Sequence, residues 1–454
     1  MLRLIFAELR YQARLWVGAL AIAVTASVIL AVMVALTVSA ISRNQVHEIS
    51  ADDFEGIIGF VSMPAFLSAV TMIIVLTGVA NLTVDAQRQN YARWQIGGVS
   101  PKRITRVVLL QLAFLGVVAS VAGVLVALPL AQPAFDWLAS RVPSLVGVKV
   151  GQSIFGALIV LVVTTGLMVL GGQRAARRAG NVPAVEALSA PVDPKTGMSV
   201  ARWVLAAAGF LATVGLSAGL HDVGILGIGQ NGLFVGLALS TVLAALAPLL
   251  LSPFLRMWTR VVPVRVSAAW YLARNACRYR VVQSTSAIVP LTIGLVLIGS
   301  FTSVFSMFVN AQQVSGANSQ AQMDGEANLV IFGAPLVLAT VAAAVTVFMS
   351  GRAREREFAL INAAGGTPRM IVRTAIYEAL IYAVTALLLA LIIVLITATV
   401  VWSALTALAP GTTFTVDLAP MTVMFMVGFV GLLAATVIPT VLGLRITVRE
   451  SLAA

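Results

Sequence analysis

The chain has 454 residues, of which 60% are hydrophobic and only 10% charged, and its mean hydropathy is +1.01. A soluble globule of this size does not need so much apolar surface, so the composition indicates a polytopic membrane protein. The net charge of +12 would favour a nucleic-acid partner only if the basic residues shared one folded domain. They are spread over short connections, which membrane topology explains better, so no nucleic-acid partner is expected.

Ten apolar runs are long enough to span a bilayer, after a segment (1–14) with the pattern of an interfacial helix. The sequence therefore predicts an all-α polytopic membrane protein with ten transmembrane helices. The runs lie at about residues 15–40, 56–82, 105–130, 151–172, 202–220, 231–255, 284–310, 328–350, 371–402 and 420–443.

The distribution of positive charge predicts that both termini are cytoplasmic. With the N-terminus inside, 26 of the 29 Lys and Arg residues fall on inside segments, and only Arg43, Arg141 and Lys149 lie outside. One missed span would invert every later loop, so this asymmetry supports the count of ten. The outside loops are too short for a folded extracytoplasmic domain.

The densest charged patch is residues 352–373, RAREREFALINAAGGTPRMIVR. Gly365, Gly366 and Pro368 end one helix and begin the next, because glycine permits a left-handed turn and proline suits a first helical turn. The pattern predicts a short amphipathic helix beneath the membrane, joined to the next span. A similar stretch occurs earlier in the chain, RQNYARWQIGGVSPKRITR at 88–106, and one constant offset pairs Gly98 with Gly365 and Pro101 with Pro368.

Both stretches could dock a soluble cytoplasmic partner that pushes on the spans. The alternative is a solvated basic loop that only fixes topology. The expected apolar contacts are Tyr91, Trp94, Ile96, Phe358, Leu360 and Ile361, and the expected charged contacts are Arg88, Arg93, Arg354, Glu355, Glu357 and Arg369.

Two further landmarks recur at nearly the same offset, so the chain reads as two copies of a four-span unit. Arg10-x-x-x-Arg14 is echoed by Arg274-x-x-x-Arg278, and the segment 183–188 by 447–452. Equivalent positions of the two copies are six spans apart, and an even number of spans gives both copies the same orientation in the membrane. The repeats are therefore parallel, which suits a two-fold symmetric partner. The predicted domains are 1–190, a linker at 191–264 with two spans, and 265–454. The alternative is a chance likeness of Arg-flanked helix ends.

Enzymatic and metal chemistry find little support in the sequence. No G-x-x-x-x-G-K-[ST] motif occurs, so ATP hydrolysis is expected in a separate chain. His47 and His221 have no companions at ligand spacing, and Cys277 fits a packed thiol. We expect no catalytic, cofactor or metal site in this chain.

Glu378 is the one acid well inside an apolar run, and its repeat counterpart is Gln111. An intramembrane carboxylate can serve as a proton relay or a polar substrate contact. The alternative is a carboxylate near the cytoplasmic surface that pairs with Arg373 or Arg445.

REREFALINAAGGTPRMIVRTAIYEAL, residues 354–380, closely resembles the signature of FtsX-like permeases, the membrane subunits of MacB-type (type VII) ABC transporters. RITVRESL at 445–452 resembles the usual ending of that domain. The likeness is weaker in the first copy, where Arg93 and Trp94 replace Leu360 and Ile361. Many relatives carry a large extracytoplasmic domain after the first span of a unit, whereas this chain has only a short loop there.

The resemblance implies a bacterial plasma-membrane permease without enzyme activity of its own. In each unit, the loop between the second and third spans would contact a cytoplasmic ABC ATPase homodimer. That ATPase would bind ATP and Mg. It also implies mechanotransmission, in which closure of the ATPase dimer drives rigid helix movements. We therefore expect export or membrane extraction of a hydrophobic or amphipathic substrate, such as an antimicrobial peptide, a lipid-like compound or a drug. The alternatives are an ATP-independent secondary transporter and a signalling permease that controls a cell-envelope partner.

Overall fold

The computed structural model describes residues 13–45, 51–139, 151, 153–181, 200–263, 267–279, 281–316, 337–345, 347 and 365–443. Within these ranges the chain is helical and contains no strand. The helices are α1 (Ala13–Gln45), α2 (Ala51–Ala86), α3 (Arg88–Ile96), α4 (Pro101–Ala139), α5 (Ile154–Gly180), α6 (Val200–Gly219), α7 (Ile225–Trp258), α8 (Ala268–Tyr279), α9 (Val281–Val314), α10 (Pro368–Leu408) and α11 (Ala419–Gly443). Residues 337–345 are also helical.

Eight of the described helices are long and apolar enough to cross a membrane: α1, α4, α5, α6, α7, α9, α10 and α11. Helix α2 adds a shorter apolar stretch, Ser68–Val84. The predicted eighth span is described only at 337–345 and 347. The prediction of an all-α polytopic membrane protein is confirmed, and the exact count of ten stays a prediction.

Contacts divide the chain into two units, the first within Met1–Asp193 and Leu329–Val345 and the second within Pro194–Asn328 and Thr346–Ala454. In the first unit α4 packs on α1 and α5, and α2 packs on α1 and α5. The helices approach closely: a Cβ added to Gly123 of α4 would lie 2.9 Å from the Ser27 carbonyl carbon of α1. Small residues allow such contacts between helices in a membrane.

The second unit is built around α9 and α10, which pack on each other; α7 packs on both, as does α11. Helix α9 is the most buried of the candidate spans. Its Val304 and Met307 belong to a buried cluster with Ile228 of α7 and with Val401 and Leu405 of α10. Helices α6 and α8 lie on the outside of this core, packed mainly on α7 and α10 respectively.

The unit boundaries differ from the repeat boundaries at one place. The sequence repeat assigns the predicted eighth span to the second copy, whereas residues 337–345 group by contacts with the first unit. Chain repeats and contact units are different properties of a fold. The predicted domains, 1–190, 191–264 and 265–454, therefore stay a prediction.

Candidate functional site

The short helix α3 is anchored to the first unit by its buried face. Tyr91 and Ala92 are completely buried, and the Tyr91 hydroxyl donates a 2.7 Å hydrogen bond to Oε1 of Gln87, one turn earlier. The Tyr91 ring meets that of Trp94 edge to face, with centroids 5.7 Å apart. The buried Tyr91 ring holds α3 against the first unit, and its predicted contact with a partner stays a prediction.

Gln95 ties the other end of α3 to α5. Its Nε2 donates a 2.7 Å hydrogen bond to the carbonyl of Gly180, the last residue of α5. Gly180 itself is tightly packed, because an added Cβ would lie 2.8 Å from the Pro101 carbonyl oxygen and even closer to Thr105 Oγ1. Thr105 Oγ1 in turn donates to the Ala176 carbonyl of α5 at 3.3 Å. The start of α4, the end of α5 and α3 thus form one connected block.

A Schellman turn joins α3 to α4. Gly98 adopts φ +83°, the amide of Val99 donates to the Trp94 carbonyl at 3.0 Å, and the amide of Gly98 donates to the Gln95 carbonyl at 3.0 Å. This pair of bonds closes a helix C-terminus and needs a left-handed residue, which glycine adopts without steric cost. Pro101 then begins α4.

The second copy also has a left-handed glycine before its long helix. Gly365 adopts φ +87°, and Pro368 occupies the first turn of α10. The Thr367 side chain accepts a 3.3 Å hydrogen bond from the Met370 amide and so caps the new helix. Gly366 lies between them and is partly buried. The predicted break at Gly98 matches this geometry. At Gly365 the structure describes the left-handed glycine and the start of the next helix, whereas the helix predicted before it lies outside the described residues.

Several predicted partner contacts lie outside the described residues. The segment before Gly365 is not described, so the structure does not locate six of them: Arg354, Glu355, Glu357, Phe358, Leu360 and Ile361. Arg88 begins α3, but its side chain is also outside the description.

Among the described residues, the exposed side chains near each break are mostly basic. Ile96 is 56% exposed, and Trp94 is half-buried beside it. The exposed basic residues are Arg93, Lys102, Arg103 and Arg106 in the first unit and Arg369 and Arg373 in the second. Such a surface can offer an apolar contact surrounded by charged contacts. Nothing in the structure tests whether a partner binds there.

Gln95 is the residue that the sequence did not single out. An isolated glutamine in a short helix gives no signal, because its acceptor at Gly180 is 85 residues away in the chain. Arg103 was also not selected as a contact, although it is exposed beside Lys102 at the start of α4.

The long helices α4 and α10 bury the same face in the two copies. Ile104, Gln111 and Ala119 of α4 are completely buried, and their counterparts at the repeat offset in α10 are buried too. Those counterparts are Ile371, Glu378 and Ala386, which are 0%, 4% and 0% exposed. The sequence repeat is therefore also a repeat of packing, within each unit.

Gln111 and Glu378 occupy equivalent buried positions, ten residues after the proline that begins each helix. Neither amide atom of Gln111 has a hydrogen-bond partner among the described residues. The structure does not assign these residues a role, so the intramembrane polar site stays a prediction.

The first unit also contains an apolar pocket of about 260 Å³. It lies between α1, α2 and α5, at the end of α5 opposite Gly180. The lining is almost entirely aliphatic and aromatic, with Leu30, Met33, Met72 and Phe155 among it. Thr37 and Ser68 are the polar exceptions. The Thr37 hydroxyl donates to the Met33 carbonyl, whereas Ser68 is 5% exposed and its hydroxyl has no partner in the part of the chain that the structure describes.

Taken together, these features define a duplicated, multi-pass α-helical membrane protein with an equivalent helix break in each copy. The model of the FtsX-like permease C-terminal domain matches residues 62–184 and 329–449. The starts of the two matches are separated by the same offset as Gly98 and Gly365, and together the matches cover more than half of the chain. The chain therefore belongs to the FtsX-like permease family, which indicates a transport subunit of the ABC permease type. Comparison with curated proteins finds no match.

Proposed function

We propose that this chain is the membrane subunit of a MacB-type transporter in the bacterial plasma membrane, with both termini cytoplasmic. It couples a separate ABC ATPase homodimer, which holds ATP and Mg, to export or membrane extraction of a hydrophobic or amphipathic substrate. The observation that carries the proposal is the pair of equivalent breaks, Gly98 to Pro101 and Gly365 to Pro368, each placed before the longest helix of its unit.

Mechanical coupling needs a stiff path from the partner to the span. In the first copy Gln95 binds Gly180, and the Schellman turn links α3 directly to α4, so a push on α3 cannot be absorbed by loose chain. Helix α10 has 41 residues and is about 60 Å long, twice the thickness of a bilayer core. A movement at its first turn would be carried through the bilayer to its far end.

Two observations support a substrate that is met within the bilayer. The predicted outside loops leave no room for a large binding domain, and the pocket in the first unit is lined by apolar side chains. An antimicrobial peptide, a lipid-like compound or a drug would place an apolar portion there. The Ser68 hydroxyl, which has no partner among the described residues, would offer such a molecule one hydrogen bond.

The proposal is tested by reconstituting the chain with the ATPase that co-purifies from its native membrane. We expect a P-loop ATPase to co-purify and its hydrolysis rate to respond to the permease. Absence of any ATPase from an active preparation would contradict the proposal and favour an ATP-independent transporter.

A further inference from the structure

Helix α8 carries, along one face, three buried hydrogen-bond donors that find no acceptor in the described part of the chain. They are Nε1 of Trp270, Nε of Arg274 and Nε of Arg278, and all three atoms are buried and have no partner among the described residues. The residues are spaced four apart, so they lie one above another on the helix. A buried donor without an acceptor costs free energy, which a ligand with acceptor oxygens would recover.

The surroundings of α8 are strongly positive. Arg278 Nη2 donates to Thr259 Oγ1 at 2.8 Å and to the Arg256 carbonyl at 3.2 Å, and so holds α8 against the end of α7. The pKa of Arg278 is lowered, first by burial and then by the nearby charges of Arg274, Arg256 and Arg260. No carboxylate is among the described groups that act on it. Four arginines share this region, and an anion would relieve their mutual repulsion.

Trp270, the first residue of this face, lines an aromatic pocket of about 250 Å³. Trp270 meets Tyr377 edge to face at 5.6 Å and Trp258 at 6.5 Å, and all three rings line the pocket with Val262, Leu380 and Val384. None of the described residues that line it is charged. A free phosphate would leave this apolar space unused, whereas a lipid would fill it.

The position of α8 fits the membrane surface. It has 12 residues, too few to span, and its buried face is Ala269, Trp270, Ala273 and Cys277. A short amphipathic helix with tryptophan and tyrosine in its first turn and arginines further along is typical of the interface between headgroups and acyl chains.

We propose that Trp270, Arg274 and Arg278 bind the phosphate headgroup of an anionic phospholipid, whose glycerol and first acyl carbons lie against Trp258 and Tyr377. Basic pockets between helices at the membrane surface recognise anionic headgroups by this combination of charge and apolar contact. Trp270, Arg274, Arg278, Trp258 and Tyr377 are not among the predicted ATPase contacts.

Native mass spectrometry of the full chain in detergent tests the proposal, with dioleoyl phosphatidylglycerol and dioleoyl phosphatidylcholine as probes. We expect tighter binding of phosphatidylglycerol to the wild type. The double variant Trp270→Phe/Arg274→Gln removes the indole N–H and the Arg274 guanidinium with its positive charge, and it leaves the Arg278 contacts with α7 intact. It should raise the apparent Kd for phosphatidylglycerol by about tenfold or more, since each charge-assisted hydrogen bond contributes roughly 1.5–3 kcal/mol.

The matched control is Arg174→Gln/Arg177→Gln. It removes two exposed arginines near the end of α5, and neither residue lines the two pockets described above. It should leave the Kd within about twofold, because unpaired surface charges contribute little. An equal loss in the control would show diffuse attraction to positive charge and overturn the proposal, as would an unchanged Kd in the double variant. Displacement of the lipid by millimolar inorganic phosphate would show a free-anion site instead.

A second variant guards against misfolding of the first. Trp270→Phe alone keeps an aromatic ring against Tyr377 and removes one N–H, so we expect an increase in Kd of about threefold. Retained lipid affinity in this single variant, with the double variant unfolded, would also contradict the proposal.

Discussion

Gly98 and Gly365 adopt the same left-handed conformation, with φ of +83° and +87°, at equivalent positions of the two sequence repeats. Three residues after each, a proline begins the longest helix of its unit. The equivalence extends along these helices, where Gln111 and Glu378 are buried at matching positions. Each sequence repeat therefore has a left-handed glycine just before a long helix.

Because Gly98 and Gly365 have positive φ, we expect each position to tolerate a side chain only if that residue type readily adopts the left-handed conformation. Gly98→Val and Gly365→Val force a β-branched residue into this conformation at a cost of about 1–2 kcal/mol or more, whereas asparagine adopts it more readily. We expect the valine variants to lose stimulation of the partner ATPase and the matched Gly98→Asn and Gly365→Asn variants to keep most of it. Equal activity in valine and asparagine variants would show that turn geometry is not used in coupling.

Loss of the Gln95 side chain should loosen α3 without unfolding the unit. Gln95→Leu removes the hydrogen bond to the Gly180 carbonyl, with a cost of about 0.5–1.5 kcal/mol. Hydrogen–deuterium exchange should then rise in residues 88–96. Gln132→Leu is the control, since Gln132 lies at the far end of α4 and donates to Asp136 on its own helix. Unchanged exchange in α3 would exclude Gln95 as its anchor.

Two glycines of α5 should respond oppositely to alanine. A Cβ at Gly180 would press on Thr105 and the Pro101 carbonyl, so Gly180→Ala should destabilise by about 1–3 kcal/mol. No described neighbour lies within 4 Å of a Cβ at Gly166, so Gly166→Ala should be neutral or stabilise by up to about 1 kcal/mol through helix propensity. Thermal unfolding in detergent measures both. Similar melting temperatures for the two variants would contradict the described packing at Gly180.

A Glu378 variant can distinguish ATP-driven transport from ion-coupled transport. Glu378→Gln keeps the shape of this buried side chain and removes its ionisable group. With the ATPase as the energy source, we expect transport in liposomes to persist in this variant and to resist a proton uncoupler. Collapse of ATP-supported transport in both experiments would instead assign Glu378 to a proton relay and favour a secondary transporter.

Local patterns in the sequence predicted the features that depend on local chemistry. Apolar run lengths located eight of the ten predicted spans, and the Gly-Gly-Thr-Pro motif located the left-handed residue at Gly365, because glycine and proline impose their own backbone geometry. The length of α10 followed from its uninterrupted apolar run. These features need no knowledge of distant contacts.

The remaining features depend on contacts between distant parts of the chain. Tyr91, Trp94 and Ile96 are all large side chains on a short helix, and only the packing of that helix decides that Tyr91 is buried and Ile96 exposed. The bond from Gln95 to Gly180 needs the end of α5 beside α3. The grouping of residues 337–345 with the first unit likewise follows from tertiary contacts alone.

Site-specific photocrosslinking from Ile96 tests the central claim most directly. Ile96 is exposed at the turn, and Ile154, 85% exposed at the opposite end of α5, is the matched control. With a photoreactive phenylalanine at each position in native membranes, we expect position 96 to crosslink to a P-loop ATPase and position 154 to give no such product. A functional complex in which position 96 gives no ATPase crosslink, or in which both positions crosslink equally, would contradict coupling through this turn.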